Sequence, residues 1–375
     1  MRKVCYVTGT RADFGLMHST LQQISQDSAL ELSVLATGMH LDPAYGCTIK
    51  EVEQAGFRVL RVESPIDDGT RMSMVNSVAS QMNGFARAFS DLNPDVVLLL
   101  GDRGEMLAAA TAALYLNIPV AHIHGGERSG TVDESIRHAI SKLSHFHFVS
   151  TESAGERLVR MGEEPSKVFV TGAPGLDDIM ACKLEDKAQF IQRMEFDPEK
   201  QVLAMVFHPV VQKAEEAGSQ MLCLLEALPL ETQGVILLPN SDAGGHQIRD
   251  VIESYDFGDK DFRVVKHLPR LEYLSLIANC GVLIGNSSSG IIEAASFETP
   301  VINVGERQAN RERNKNVFDL DVDTEQVRQT IEYLLSSNLD FPSNIYGDGK
   351  AGDAICKLLT EIQIDEQTTS KCNAY

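Results

Sequence analysis

No apolar run in this sequence approaches the ~20 residues that a membrane-spanning helix needs. The apolar run in the N-terminal stretch, MRKVCYVTGTRADFG, is too short for a signal peptide and reads as a first strand. Cysteine is sparse and unpaired. Cys5, Cys47, Cys182, Cys223, Cys280, Cys356 and Cys372 are odd in number, scattered and never in a CxxC pair, which argues against a disulfide framework and a zinc ribbon. Together these absences point to reduced thiols and a cytoplasmic location. Positive charge is also short. At a formal charge of −20, a nucleic-acid backbone or an anionic membrane surface is repelled over most of the chain, so an anionic ligand requires a local basic pocket. Low-complexity and collagen-like bias are absent as well: 43% apolar and 23% charged residues are globular proportions.

What is present is a repeated strand-then-helix pattern. At 375 residues the chain suits two domains, each of roughly 150 to 200 residues. Short apolar runs ending in Gly, Asp or Asn occur at 3–10, 31–38, 95–102, 120–127, 146–151 and 168–172. After the charged stretch 183–200 a second series follows at 202–209, 234–240, 263–268, 281–286 and 300–305. Runs apolar on both faces and separated by helical segments imply parallel sheets covered by helices. The expected fold is therefore α/β, with two Rossmann-like domains and a cleft between them. The expected division is 1–180, 181–350, and 351–375 for a C-terminal helix and tail. Ala354, Ile355, Leu358, Leu359 and Ile362 form one stripe on that helix, suited to packing back on the first domain. Ligands of open α/β sheets bind beyond strand C-terminal ends, so the chemistry is sought in the loops after strands.

Those loops are unusually polar. GTRADFG at 9–15 places Arg11 and Asp13 between glycines, either as a phosphate-binding turn or as an ordinary strand-to-helix turn. It is not GxGxxG, so a nicotinamide fingerprint is missing. GDRGE at 101–105 delivers Asp102 to a strand end as an acid, a base or a helix cap. HIHGGERSGTVDESIRH at 122–138 gathers His122, His124, Glu127, Asp133, Arg137 and His138. Asp133 and Arg137 share a helix face, and His122 and His124 point the same way on a strand. The His-x-His pair lacks further ligands, so no metal is expected. Several carboxylates there suit proton removal from one face of a sugar and return on the other, with His122 readable as a packed histidine. In the second half His208 ends one strand, and Asn240 and Asp242 follow another. GNSSSGIIEAAS at 285–296 offers Ser287, Ser288 and a helix start for phosphate, with Glu293 about two turns on toward a ribose. A plain serine N-cap is the alternative. GERQANRERNK at 305–315 adds Arg307, Arg311 and Arg313, each readable as a ligand group or a solvated side chain.

Taken in order, GTRADFG, TGMHLDPAYG, GDRGE, HIHGGE, DESIRHAISKL, FHP, PNSDAGG and GNSSSGIIE resemble the UDP-N-acetylglucosamine 2-epimerase family over roughly residues 3 to 315. The resemblance is to its hydrolysing branch, which serves sialic- and legionaminic-acid synthesis. The non-hydrolysing branch has an HREM-like stretch where this chain has TGMHL at 37–41. The resemblance implies a glycosyltransferase B-type fold and a sugar site of Asp102, Glu127, Asp133 and Arg137. It also implies a UDP site of Arg11, His208, Ser287, Ser288 and Glu293, with Asn240 and Asp242 beside it. Asp13 joins that binding set from its place in the first loop. Many family members carry a catalytic Glu where this chain has His124, so here that role falls to Asp102, Glu127, Asp133 or His124 itself. No cofactor or metal is implied, because protein groups offset the diphosphate charge. The expected partners are a UDP-sugar and further copies of the chain, as a homodimer or homotetramer. The sugar is GlcNAc or its 4-acetamido-6-deoxy analogue, that of UDP-N,N'-diacetylbacillosamine. A non-hydrolysing epimerase, a glycosyltransferase of the same fold and a non-catalytic sensor are the alternatives.

Overall fold

The computed structural model describes residues 1–43, 46–65, 70–366 and 368–374. Seven strands form the first sheet: β1 (Arg2–Thr8), β2 (Leu30–Ala36), β3 (Arg58–Arg61), β4 (Val96–Leu100), β5 (Val120–Ile123), β6 (Phe146–Val149) and β7 (Val168–Val170). Six form the second: β8 (Gln201–Val206), β9 (Thr232–Leu237), β10 (Asp261–Val265), β11 (Val282–Gly285), β12 (Val301–Val304) and β13 (Val317–Leu320). Every pairing is parallel. Helices cover both faces, as the doubly apolar strands require. Alternate residues of β1 and β4 show this division. Val4, Tyr6, Leu98 and Leu100 pack with Met17 and Leu21 of helix Arg11–Gln26, whereas Cys5, Val7, Val97 and Leu99 pack with Phe85 and Phe89 of helix Arg71–Leu92.

Strand order positions the site. The first sheet runs β3-β2-β1-β4-β5-β6-β7 and the second β10-β9-β8-β11-β12-β13. The order in which strands are added therefore reverses between β1 and β4, and again between β8 and β11. Loops leaving such neighbours diverge to opposite faces and open a crevice. The four loops concerned are those beginning at Gly9, Gly101, Phe207 and Asn286.

Two strands were not anticipated, and both lie at edges. β3 (RVLR) and β13 (VFDL) are half-exposed, so charged residues interrupt any apolar run. The C-terminal helix Ala351–Glu361 returns to the first sheet, where Ile355 and Leu359 are fully buried beside helix Arg11–Gln26. Asp177 fixes its start by accepting the Ala351 and Gly352 N–H groups at 3.0 and 2.5 Å. Burying those two aliphatic side chains is worth roughly 1.5–3 kcal/mol each. No helix among the described residues is long and apolar enough to cross a membrane.

Candidate active site

The crevices of the two domains face one another across a cavity of about 880 Å³. Arg11, Arg103, Arg270, Arg307, Arg311 and Lys266 all line it, which supplies a basic pocket within an acidic chain. Ten of the expected site residues line it too: Arg11, Asp13, Asp102, His124, Arg137, His208, Asn240, Ser287, Ser288 and Glu293. Glu127, Asp133 and Asp242 do not line it.

On the first-domain wall, the loop after β1 is organised by Asp13. Its carboxylate accepts the Gly9 and Thr10 N–H groups at 3.1 and 3.0 Å and the Thr8 hydroxyl, closing a capping box with Thr10. Both oxygens are thus committed to the loop, and burial pushes the carboxyl up to about 6. Asp13 thereby shapes the turn that presents Arg11, and it lines the cavity itself. Arg11 pairs with Glu51 and is lowered by burial to about 10. His40 of the TGMHLDPAYG stretch lies buried between the Thr8 and Thr48 hydroxyls at 2.9 and 2.8 Å, while Ala44 and Tyr45 fall outside the described residues.

Beyond β4, Asp102 does not cap the helix Gly104–Tyr115, whose N-cap is Arg103. Asp102 is paired instead with Arg137, a fully buried guanidinium that also donates to the Glu127 carbonyl at 3.1 Å. Arg137 and Asp133 do share a helix, but Arg137 turns inward to Asp102. Asp133 lies 3.8 Å from Arg307 of the second domain. His122 is packed: its Nε2 lies 2.7 Å from the Gly101 carbonyl, and burial depresses it to about 3. His138 sits near Glu134, away from the cavity.

His124 ends β5 in the left-handed region, at φ 63°. Such a conformation is uncommon for a residue with a side chain and turns the imidazole out of the strand into the cleft. The next turn needs glycine, since a Cβ on Gly126 (φ 76°) would lie 2.3 Å from the Ala154 carbonyl oxygen. His124 Nδ1 contacts a Glu127 oxygen that also accepts the Ser150 hydroxyl at 2.5 Å. Arg311 Nη2 approaches the other oxygen at 2.8 Å. Burial alone would raise the Glu127 carboxyl, but Arg311, His124 and Ser150 outweigh it and draw it down to about 2. A carboxylate so held stays ionised at neutral pH and acts on the imidazole of His124.

The second-domain wall sets uncharged donors beside its charged groups. His208 follows β8; its N–H donates to Asn286 Oδ1, and Asn286 Nδ2 donates back to the His208 carbonyl, both at 2.8 Å. The Asn240 N–H donates to His208 Nδ1 at 3.2 Å, so the ring proton belongs on Nε2. Burial lowers this imidazole to about 3 and keeps it a neutral donor. Asn240 Nδ2 donates to Asp242 at 2.6 Å, and Asp242 lies 3.6 Å from Arg103 of the facing wall. Ser287 is a true N-cap, accepting from the Ser289 N–H, with Ser288 opening the helix. That helix spans only Ser288–Ile292, so Glu293 is its C-cap rather than a residue two turns inside. Glu293 is buried and paired with Arg270, which reaches the Gly175 carbonyl at 2.6 Å. Of the three arginines in 305–315, Arg307 donates to the Asn286 carbonyl at 3.1 Å, Arg311 holds Glu127, and Arg313 pairs with Asp319 away from the cavity.

Arg103, Arg270 and Tyr273 were missed. Arg103 lay in view within GDRGE, flanking Asp102. Arg270 and Tyr273, whose hydroxyl contacts Ser289, open a helix with no local signal.

Two parallel sheets facing across such a cleft define the glycosyltransferase B type of fold. Solved structures agree: the Neisseria meningitidis UDP-GlcNAc 2-epimerase bound to UDP-GlcNAc superposes with a TM-score of 0.76 at 20% identity, over 96% of this chain and 100% of that one. The chain belongs to the UDP-N-acetylglucosamine 2-epimerase family, whose profile matches residues 22–360. Within it the chain groups with hydrolysing members. It is similar to a Legionella pneumophila "UDP-N,N'-diacetylbacillosamine 2-epimerase (hydrolyzing)", 49% identical over 100% of both chains. A Campylobacter jejuni "GDP/UDP-N,N'-diacetylbacillosamine 2-epimerase (hydrolyzing)" is 35% identical over 88% of each.

Proposed function

We propose that the protein cleaves a UDP-linked 2-acetamido sugar with inversion at C2, releasing UDP and the free manno-configured sugar. The observation that carries this reading is the placement of Asp102 and His124, on neighbouring strand ends, opposite His208, Ser287 and Ser288 across one basic cavity. In this reading residues 1–180 handle the sugar and 181–350 the UDP. Asp102, paired with Arg137, takes the C2 proton. The C2–H electrons form the C1=C2 bond, and the C1–O bond to UDP breaks with its electron pair leaving on the diphosphate. Arg11, the His208 Nε2–H and the serine hydroxyls receive that charge. Water then adds its oxygen to C1 while His124 delivers a proton to C2 from the opposite face; the proton lost by that water restores His124, and Asp102 releases the C2 proton to solvent. The sum is UDP-sugar plus water giving UDP plus the C2 epimer.

UDP-N,N'-diacetylbacillosamine is the substrate we favour over UDP-GlcNAc, because the full-length relative at 49% identity carries that name. The free product is then a precursor for nonulosonic acid synthesis in the cytoplasm. Proton NMR in deuterium oxide tests both points, with each UDP-sugar supplied separately. The expected result is UDP and free manno sugar, deuterated at C2, formed faster from the diacetamido substrate. Retained UDP-sugar epimer would establish the non-hydrolysing alternative, and free sugar of unchanged configuration would end the 2-epimerase reading.

A further inference from the structure

The group that positions His124 comes from the other domain. Arg311 lies in the segment between β12 and β13, and that segment crosses to the first domain at several points. The Gly130 N–H donates to the Arg307 carbonyl at 3.4 Å, Asn310 Nδ2 donates to the Ser129 carbonyl at 2.8 Å, and the Thr151 hydroxyl donates to Glu312 at 2.5 Å. The approach is close: a Cβ on Gly130 would fall 2.1 Å from the Glu306 carbonyl oxygen. The same segment holds the start of the serine loop, since Arg307 and Gln308 both donate to the Asn286 carbonyl at 3.1 Å. One short stretch therefore links the serine loop to the Glu127 carboxylate.

We infer that Arg311 is a positioning residue that acts through Glu127, fixing His124 with its Nδ1 proton on Glu127 and its Nε2 open to the cleft. This rests on the proton-transfer role given above to His124. A carboxylate on Nδ1 orients an imidazole and favours its protonated form, and a guanidinium on the same carboxylate moderates that pull. Arg311 comes from the second domain and Glu127 and His124 from the first, so the two domains together complete the trio. The other charged or titratable groups facing this trio are His122 on β5, Arg137 and Arg157 from first-domain helices, and Tyr346. Burial holds His122 and Tyr346 neutral, Arg137 is balanced by Asp102, and Arg157 donates to the Gly126 carbonyl at 2.5 Å.

The test is side-chain nitrogen NMR of His124, assigned through His124→Gln, in full-length protein with saturating UDP. Removing the guanidinium with Arg311→Met should move the imidazole titration to higher pH by about one unit, and Glu127→Gln should move it the opposite way. Arg311→Lys should stay near wild type. Turnover of Arg311→Met should fall ~10²-fold with its alkaline limb displaced alike, while KM changes less than about threefold. Arg311→Met strands a buried carboxylate, so the double variant Arg311→Met with Glu127→Gln guards against unfolding, and its titration should match Glu127→Gln alone. An Arg311 that only binds phosphate or only stabilises the fold would raise KM or lower the melting temperature and leave the titration in place, which overturns the inference. The two failures are separable. A titration that shifts as stated in a protein releasing no C2-deuterated sugar would sink the proposed function alone. Turnover with an unmoved titration would sink only the role of Arg311.

Discussion

The two walls of the cleft are built from different chemistry. The wall beyond β4 and β5 carries full charges locked in pairs: Asp102 with Arg137, and Glu127 between His124 and Arg311. The wall beyond β8 and β11 presents uncharged donors, the Ser287 and Ser288 hydroxyls and a His208 that burial holds at about 3, beside the buried Glu293–Arg270 pair. Moving a proton requires groups that can change charge, whereas holding a diphosphate requires donors that keep theirs. Both walls arise from the same parallel architecture, which places two loops at each direction reversal. The difference lies entirely in which side chains those loops carry, and in the low dielectric that makes each unpaired charge costly.

The sharpest way to break this contrast is Asp102→Asn, which removes a charge from the first wall and little volume. Turnover should drop ~10²–10⁴-fold while the UDP dissociation constant stays within about threefold, read by single-turnover kinetics and calorimetry. Equal losses in both would mean the walls are not specialised. The mirror experiment is His208→Leu on the second wall. It removes a neutral donor to an anionic ligand, so UDP affinity should weaken by about 1.5–3 kcal/mol, and the pH profile of turnover should keep its shape. A displaced acidic limb in that variant would show that His208 titrates after all.

A smaller effect separates the histidines by what holds them. His40 and His122 are depressed by burial to about 4 and about 3. A histidine with a folded pKa below its unfolded one stabilises the fold above pH ~6.5 and loses that contribution as pH falls through the folded value. Each is worth on the order of 3 kcal/mol over that window. Asp13 runs the other way: raised to about 6, it favours the fold below its ordinary value and loses that as pH rises through 6. Because Thr8 bridges Asp13 and His40, the two partly cancel near pH 5. Urea midpoints should therefore fall from pH 7 to pH 5, and His40→Gln should flatten the decline by ~1–2 kcal/mol. An unchanged slope would show that His40 is not held neutral.

The site's loops were legible because each follows an apolar strand directly: residues 9–15, 101–105, 122–138, 207–209 and 285–296 all needed only the alternation of strand and loop to be placed. Pairings were not legible. Nothing local joins Asp102 to Arg137, 35 positions apart, or Glu127 to Arg311 in the other domain. Helical spacing put Arg137 beside Asp133, which is right for the helix but silent on the inward turn that burial forces. The capping role of Asp13 was hidden because a capping box and a phosphate turn use the same residue types. Glu293 was misplaced because Ser-Gly-rich sequence marks where a helix starts and says little about its ending after five residues. The edge strands β3 and β13 lacked an apolar signal for the reason that they are edges.

The smallest expected effect distinguishes among three arginines that look alike in the sequence. Arg307 and Arg311 line the cavity, but Arg313 does not, and its guanidinium donates to an exposed Asp319 carboxylate at 3.0–3.2 Å. A surface pair of this kind is screened by water and salt, so Arg313→Ala should cost less than about 1 kcal/mol of stability, and less again at high ionic strength. Its turnover and UDP affinity should match wild type, because its guanidinium pairs with Asp319 away from the cavity. Stability loss well above that bound would instead show that Arg313, through its bond to the Arg311 carbonyl at 2.6 Å, holds the crossing segment in place. The contrast between the walls would then depend on a residue outside both.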